Sequence, residues 1–324
     1  MNKIKIAVLM GGKSSEHEVS LVTGENVIKN LNQDKYEIRP IKITKENKWL
    51  LKEKEMKTEE ALEEIDAVFN ALHGEYGEDG TIQGVLEFLG IPYTGSGVLA
   101  SALGMDKAKS RALFRLNGLL TPPNVILTKE TWTKKPEIIE EIIENIKLPA
   151  VVKPTNLGSS VGVSIVRVKE SFDQAFKNAF ERAQEILLED YIHGREMTCG
   201  VLENFNGEKI SALPVTEIIP PDGRFFDYEV KYNGETQEIT PAKIDPDLAQ
   251  KIQKVAIQAH QILGCRHYSR VDMIVNDKGI HVLEVNTLPG LTEESLFPKA
   301  AKTAGLEFPR LLDHLIELAL ENRQ

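Results

Sequence analysis

The stretch SRVDMIVNDKGIHVLEVN, residues 269–286, sets two apolar runs on either side of Asn276-Asp277-Lys278-Gly279. Asn, Asp and Gly accept the backbone of a tight turn, so the segment reads as an antiparallel hairpin. Its polar residues keep a period of two. Glu284 and Asn286 therefore share one face of the second strand, while Asp272 lies on the first. Centring the turn on Asp277-Lys278 puts Asp272 across from Val282 to Glu284, and one residue of register shift lets all three side chains converge. Two carboxylates and an amide are hard oxygen donors suited to Mg2+. Burying them among Val271, Ile274, Val282 and Val285 without a cation would be costly. A solvated strand edge fits the same alternation. The second strand runs on to a break at Pro289-Gly290.

Composition narrows the classes. The 324 residues suffice for two or three domains with cores of their own. The net charge of −10, from 39 basic and 49 acidic side chains, argues against nucleic acid as a partner. Cys199 and Cys265 are too few for a disulfide framework and lack C-x-x-C spacing, so they read as small core hydrophobes. The apolar run of MNKIKIAVLMGG is short and carries Lys5, unlike a secretory leader, and no stretch approaches the roughly 18 apolar residues of a membrane span. A cytoplasmic protein without membrane contact is expected.

Along the chain, IKIAVLMGG, YEIRPIKI and AVFNAL read as strands, and SEHEVSLVTGENVIKNL and TIQGVLEFLG as helices. That alternation predicts a parallel α/β layer over about the first 95 residues. Ser15 and Glu18 have capping-box spacing. The charged run LKEKEMKTEEALEEID reads as a solvated helix face. DKAKSRALFRLNG is a helix with Asp106 at its N-cap and Gly118 at its stop. Strands NVILT, PAVVKP, VSIVRV and EILLEDYI follow, with two helices between them. The last part is strand-rich around the helix PDLAQKIQKVAIQAHQILG. Residues 221–241 are polar and turn-rich, as a mobile loop would be. The organisation expected is 1–96, 97–189 and 190–324.

Two further stretches bear on chemistry. In KPTNLGSSVGVSIV, residues 153–166, glycines would let backbone N–H groups approach phosphate oxygens, with the serine hydroxyls as added donors. An ordinary flexible hairpin explains the same residues, and no Walker A pattern is present. HGEYGEDGTIQG, residues 73–84, follows a strand at the end where α/β sheets place ligands. There Asp79 fits a helix cap, and His73 fits either a site or a buried hydrogen bond. Glu16, near a helix start, fits a ligand carboxylate or plain helix electrostatics.

Taken in order, GGKSSEHEVS, HGEYGEDGTIQG, YTGSGVLASALGMDK, VVKPTNLGSSVGVS, YEVKY, SRVDMIV and LEVNTLPGLTEESL closely resemble the D-alanine–D-alanine ligase family. The resemblance spans residues 11–296. It implies an α/β (α+β) chain with the three-domain ATP-grasp fold and an N-terminal parallel layer. It further implies ATP-dependent joining of two D-alanines for peptidoglycan precursors, two Mg2+ ions (or Mn2+ in their place), and a homodimer. By the same resemblance Lys107, Lys153 and Ser160 hold the phosphates of ATP. Glu189 and Glu196 are carboxylates of the nucleotide site, the latter at its ribose, Tyr191 and Ile192 line its adenine, and Lys231 closes over it. Asp272, Glu284 and Asn286 are the metal ligands. Glu16, Val19 and His73 belong to the first D-alanine, with Ser159 and Tyr232 bonded to Glu16. Arg270, Gly290, Ser295 and Leu296 belong to the second D-alanine and the reacting carboxyl.

Relatives that make D-alanyl-D-lactate resemble this chain but typically carry His at the place of Tyr232, so the tyrosine favours an amine acceptor. His267 stands where glycine is commoner and is expected to touch no motif residue. The competing readings are another carboxylate–amine ligase of the same fold and a non-catalytic nucleotide sensor. A sensor should have lost part of the metal cluster, and all three ligands are present.

Overall fold

Ile4–Gly11 is apolar nearly throughout, as a strand covered on both faces must be. It forms β1, set between two partner strands in a five-stranded sheet. The computed structural model describes residues 3–158, 161–221 and 236–321. β1 pairs in parallel with β2 (Tyr36–Ile43) and β5 (Ala67–Asn70), and Ile6, Val8 and Phe69 are fully buried. Helices α1 (His17–Asn30), α2 (Thr58–Ala61) and α3 (Thr81–Phe88) accompany this sheet.

Three local expectations are corrected here. The charged run 51–66 is mostly not helical: β3 (Trp49–Leu51) and β4 (Lys54–Met56) form a hairpin that extends the sheet beyond β2. Lys52 and Glu53 both take positive φ, 50° and 62°, and make the turn that Asn-Gly usually supplies. Charge at an exposed edge strand also discourages pairing with another chain. Secondly, Ser15 does not cap α1. Glu16 holds the N-cap position without a side-chain bond, and Ser14 Oγ accepts from the Glu16 N–H at 3.2 Å. Thirdly, the expected loop 221–241 includes strand at its C-terminal end, where β13 (Gln237–Ile239) pairs with β12 (Thr216–Ile219). Residues 222–235, with Lys231 and Tyr232, lie outside the described residues, as do Ser159 and Ser160.

Helices α4 (Val98–Met105) and α5 (Lys107–Leu116) follow, and the Asp106 side chain accepts from the Lys109 N–H at 2.9 Å as the N-cap. An antiparallel sheet comes next, in the order β6 (Asn124–Thr128), β9 (Glu185–Asp190), β7 (Ala150–Pro154), β8 (Ser164–Val166). α6 (Lys129–Lys134) and α7 (Pro136–Asn145) follow β6. On α8 (Phe172–Phe180) the phenylalanines at 172, 176 and 180 fall on one helical face and pack with Val152, Ile186 and Leu188.

The third sheet runs β13, β12, β10 (Arg195–Phe205), β14 (Tyr268–Asn276), β15 (Gly279–Asn286), with β11 (Glu208–Ala212) beside β10. Ala100 of α4, Phe114 of α5 and Ile252, Ala256 and Ala259 of α9 (Pro246–Leu263) pack into one core with Val271, Met273, Val282 and Val285. Thus α5, whose first residue is Lys107, is seated on the hairpin strands. α10 (Leu296–Thr303) and α11 (Phe308–Glu321) join the apolar cluster that holds Ile6, Val8 and Phe69, linking the chain's end to its first sheet. Both cysteines are buried thiols, and burial pushes each up to about 12.

His267 is a departure with a price in backbone conformation: its φ is +62°, which explains why glycine suits the position. It does touch a motif residue, contrary to the sequence expectation. Its Nδ1 accepts from the Gly95 N–H at 3.0 Å, while its own N–H donates to Glu203 at 2.7 Å. Burial and the neighbouring Arg266 push its imidazole down to about 3, which keeps it neutral and able to accept.

Close approach of α1 to β1 gives one test. A Cβ on Gly24 would stand 2.5 Å from the Met10 Cβ. Alanine normally stabilises a helix interior by about 1 kcal/mol over glycine, but overpacking costs roughly 1–3 kcal/mol. The backbone-proximal Cβ of Met10 cannot swing away, so the clash wins. Gly24→Ala should lower the unfolding free energy by about 1 kcal/mol in urea titration, and an unchanged or raised midpoint would contradict this packing.

Candidate active site

The hairpin turns as its sequence suggests, with Asn276 paired to Gly279. Regular pairing continues to Met273 opposite Val282 and then shifts by one, so Asp272 faces Glu284 and Arg270 faces Asn286. Leu283 is the extra residue of a β-bulge. Without the shift, Asp272 would face Leu283 and the carboxylates would lie on opposite faces of the sheet. The bulge is what brings them together.

Asp272 is also paired on its other side, with Thr198 of β10, whose hydroxyl donates to Oδ1 at 2.6 Å. Arg270 grips both carboxylate oxygens, Nε to Oδ1 and Nη2 to Oδ2, each at 2.9 Å, and Asn286 Nδ2 donates to Oδ2 at 3.0 Å. Burial opposes ionisation of Asp272, but Arg270 outweighs it and holds the carboxyl below its usual range. Burial also opposes the Arg270 charge, and Asp272 more than restores it. Glu284 is held from the other direction: its Oε2 lies 3.0 Å from Lys107 Nζ, which also donates to the Leu157 carbonyl at 2.8 Å. The Lys107 N–H donates to the Thr155 carbonyl at 2.8 Å. α5 is thereby tied to the start of the glycine-rich loop.

The chemistry of this donor set fits a hard divalent cation: two carboxylates face each other and the Asn286 amide stands within a hydrogen bond of one. The four protein donors on Asp272 engage both its oxygens, so a cation there competes with a donor. Turning the Asn286 amide would exchange its N–H2 for a ligand oxygen. Among the described residues no group of three His, Cys, Asp or Glu side chains could hold a metal ion.

A second charged group lies on the central sheet. Lys153 of β7 and Glu189 of β9 meet at 2.7 Å. Burial raises the Glu189 carboxyl, but Arg111 and Lys153 outweigh it and hold it below its usual range. For Lys153, burial and then the Arg111 charge lower the ammonium to about 8, against the pull of Glu189. Arg111 is a residue that sequence reasoning missed. Past Glu189, the Tyr191 N–H donates to the Pro149 carbonyl at 3.2 Å, and its ring meets His193 edge-on at 4.7 Å. Ile192 is half-buried beside it, and Glu196, also half-buried, lies on β10 opposite Ile218 and Ile274.

The N-terminal loops meet on Glu16. A Cβ on Gly74 would stand 2.8 Å from its Oε2, and one on Gly158 would stand 3.4 Å away. So the first, second and fourth motifs converge on one carboxylate. His73 is buried against Thr23 Oγ1 at 2.8 Å, with Glu78 Oε1 3.4 Å from its Nδ1. Its reading as a buried, hydrogen-bonded side chain is met. Asp79 Oδ1 accepts from the Thr81 N–H at 2.9 Å, as a helix-start residue should. Val19 is half-buried on α1.

A small cleft of about 30 Å³ is lined by Glu78, Met105, Lys107, Gly158, Glu284 and Asn286 among others. Glu78 was likewise not anticipated; in GEYGEDG it is one acidic residue among three. Beyond the Pro289-Gly290 break, a Cβ on Gly290 would approach Ser295 Oγ to 3.0 Å, and Ser295 Oγ bonds Thr292 Oγ1 at 2.8 Å. Ser295 is the N-cap of α10 and Leu296 its first residue.

Comparison with known proteins bears on this assembly. The family model described as D-ala D-ala ligase C-terminus matches residues 113–317, and that described as D-ala D-ala ligase N-terminus matches 5–63 and 51–96. A D-alanine–D-alanine ligase from Syntrophobacter fumaroxidans is 43% identical over 322 residues, 99% of each chain. One from Pelotomaculum thermopropionicum is 44% identical, covering 98% of each. Among solved structures, the D-alanine–D-alanine ligase of Bacillus anthracis complexed with ATP superposes with a TM-score of 0.81 at 39% identity, covering 100% of this chain and 99% of that one. The VanG D-Ala:D-Ser ligase from Enterococcus faecalis superposes with a TM-score of 0.84 at 35% identity, over 98% and 100%. These neighbours share the ATP-grasp architecture, as the resemblance of the seven motifs implied. With both family models matched and relatives covered end to end, the chain belongs to the D-alanine–D-alanine ligase family.

Proposed function

We propose that the protein joins two D-alanine molecules into D-alanyl-D-alanine, converting ATP to ADP and phosphate. One observation carries this reading: the bulged hairpin puts Asp272, Glu284 and Asn286 together, with Lys107 on the phosphate-loop side and Arg270 on the other. The family and its ATP-bound relative support it further. The product is a peptidoglycan precursor, and the setting is the cytoplasm. No helix among the described residues is long and apolar enough to cross a membrane.

A carboxylate is a poor electrophile. The first step moves the γ-phosphoryl group of ATP to the carboxylate oxygen of the first D-alanine, breaking the bond to ADP and forming an acyl phosphate. The amine of the second D-alanine then attacks that carbonyl, the amine loses a proton, and phosphate departs from the tetrahedral intermediate. Lys107 and Lys153 are suited to the phosphates as compact charges, with Ser160 beside them, and Lys231 to closing over the nucleotide. Tyr191 and Ile192 flank the base, Glu189 supports Lys153, and Glu196 takes the ribose. Glu16, with Ser159 and Tyr232, holds the first ammonium beside Val19 and His73. Arg270 and the Gly290 N–H serve the oxyanion of the second step, with Ser295 and Leu296 against the second D-alanine. Asp272, Glu284 and Asn286 would hold Mg2+, which supplies charge neutralisation on the transferring phosphoryl group. A division into three domains, 1–96, 97–189 and 190–324, is supported by the three sheets, one in each.

The reading predicts D-alanyl-D-alanine and ADP from ATP, Mg2+ and D-alanine by mass detection. Glu284→Gln should remove turnover by about a hundredfold or more while retaining the thermal midpoint. Wild-type protein that turns over D-lactate or an L-amino acid but not D-alanine would overturn it.

Lys153 gives a pH test. Its ammonium is needed for the phosphates and is lost as pH rises through about 8. ATP affinity, measured without D-alanine, should be flat just below that value and weaken about tenfold per pH unit above it. An affinity that is unchanged well above pH 8 would separate Lys153 from the phosphates.

We also infer a homodimer. Phe88 and Val85 sit three residues apart on α3, Phe88 89% exposed, and Leu99 on α4 is 71% exposed; exposed apolar side chains of this kind are ones that a second copy would cover. Phe88→Glu should shift sedimentation from dimer to monomer, and a wild-type protein that sediments as a monomer would refute the assembly.

A further inference from the structure

Arg111 is fully buried, the largest such side chain among the described residues. Three elements meet on it. Its Nε donates to the Leu283 carbonyl of β15 at 3.0 Å, and Nη1 is hydrogen-bonded to Glu189 Oε2 of β9. It sits on α5 one helical turn after Lys107. Leu283 is the bulge residue, without a partner on β14. Among the described residues, the buried Nη2 has no hydrogen-bond partner.

A stabilising role alone accounts poorly for these facts. A buried ion pair gains little over apolar packing of the same volume, and an unsatisfied guanidinium nitrogen costs further. The neighbours explain more. Each Glu189 oxygen has its own cation: Oε2 has Arg111, and Oε1 has Lys153 at 2.7 Å. Lys153 can turn to a phosphate only by giving up Glu189. If Glu189 had no other cation, that move would leave a carboxylate buried and unpaired, at great cost. Arg111 stays behind. Lys107 has a parallel arrangement, because Arg111 holds the carbonyl next to Glu284, whose carboxylate pairs with Lys107.

We propose that Arg111 is a positioning residue for nucleotide binding: it keeps Glu189 permanently paired, so Lys153 is free to exchange that carboxylate for a phosphate oxygen. It touches neither nucleotide nor amino acid. The inference rests on the reading above that Lys153 takes a phosphate of ATP.

The test is a double-mutant cycle read by ATP binding in calorimetry, without D-alanine. Arg111→Met, of similar length, should weaken ATP binding about tenfold or more in the native background, but about threefold or less beside Glu189→Gln, where no carboxylate is left to strand. Arg111→Lys keeps the charge without the two-point grip and should fall between. In turnover, KM for ATP should rise while KM for D-alanine stays. Equal losses of ATP affinity in both backgrounds would overturn the proposal, as would parallel rises in both KM values with a lowered thermal midpoint. Should Arg111→Met not fold, the comparison of Arg111→Lys in the two backgrounds carries the same cycle. Wild-type protein that binds ATP but does not turn over D-alanine would refute the reaction and leave this test standing.

Discussion

One extra residue in one strand governs the site. The bulge at Leu283 rotates the end of β15 so that Glu284 and Asn286, and not Leu283 and Val285, share a face with Asp272 and Arg270. Two carboxylates placed directly opposite would repel. They are tolerated because Arg270 grips one and Lys107 the other, and those cations come from different elements. The same bulge releases the Leu283 carbonyl from the ladder, and Arg111 takes it. Strand pairing, ion pairing and the seating of α5 therefore depend on a single local irregularity.

Legibility in the sequence follows the range of the forces involved. The hairpin was readable because Asn-Asp-Lys-Gly acts locally, and its expected register differed from the observed one by no more than the bulge. The bulge leaves only a faint trace, the adjacent apolar pair Val282-Leu283 that breaks the alternation between His281 and Glu284, and two apolar neighbours in a buried strand are too common to mark it. Arg111 was hidden for a related reason. In DKAKSRALFRLNG it is one of four basic residues, and its burial is decided by β9 and β15, which lie far along the chain. Nothing within the helix marks it.

The misread run 51–66 illustrates the opposite failure. Its charges dominate any pattern count, while the information lies in Lys52 and Glu53, two residues that seldom make such a turn. Pairing with β2 overrode local preference. At α1 the expected capping box of Ser15 and Glu18 does not form: Glu16 stands at the N-cap without a side-chain bond, and Ser14 is the serine engaged, its hydroxyl spanning the Glu16 N–H and the His73 carbonyl. His267 shows a residue of the wrong type kept in place by compensation, a left-handed backbone offset by two hydrogen bonds.

The glycines beside Glu16 set a limit on how this protein can change. Gly74 and Gly158 face the carboxylate with bare main chain, so its surroundings are already trimmed to the smallest side chains available. Any substitution at either wall subtracts space, and none can add it. Mutation at these two positions can narrow that chamber step by step but cannot enlarge it. Room for a bulkier group beside Glu16 would have to come from other neighbours, such as Ser14.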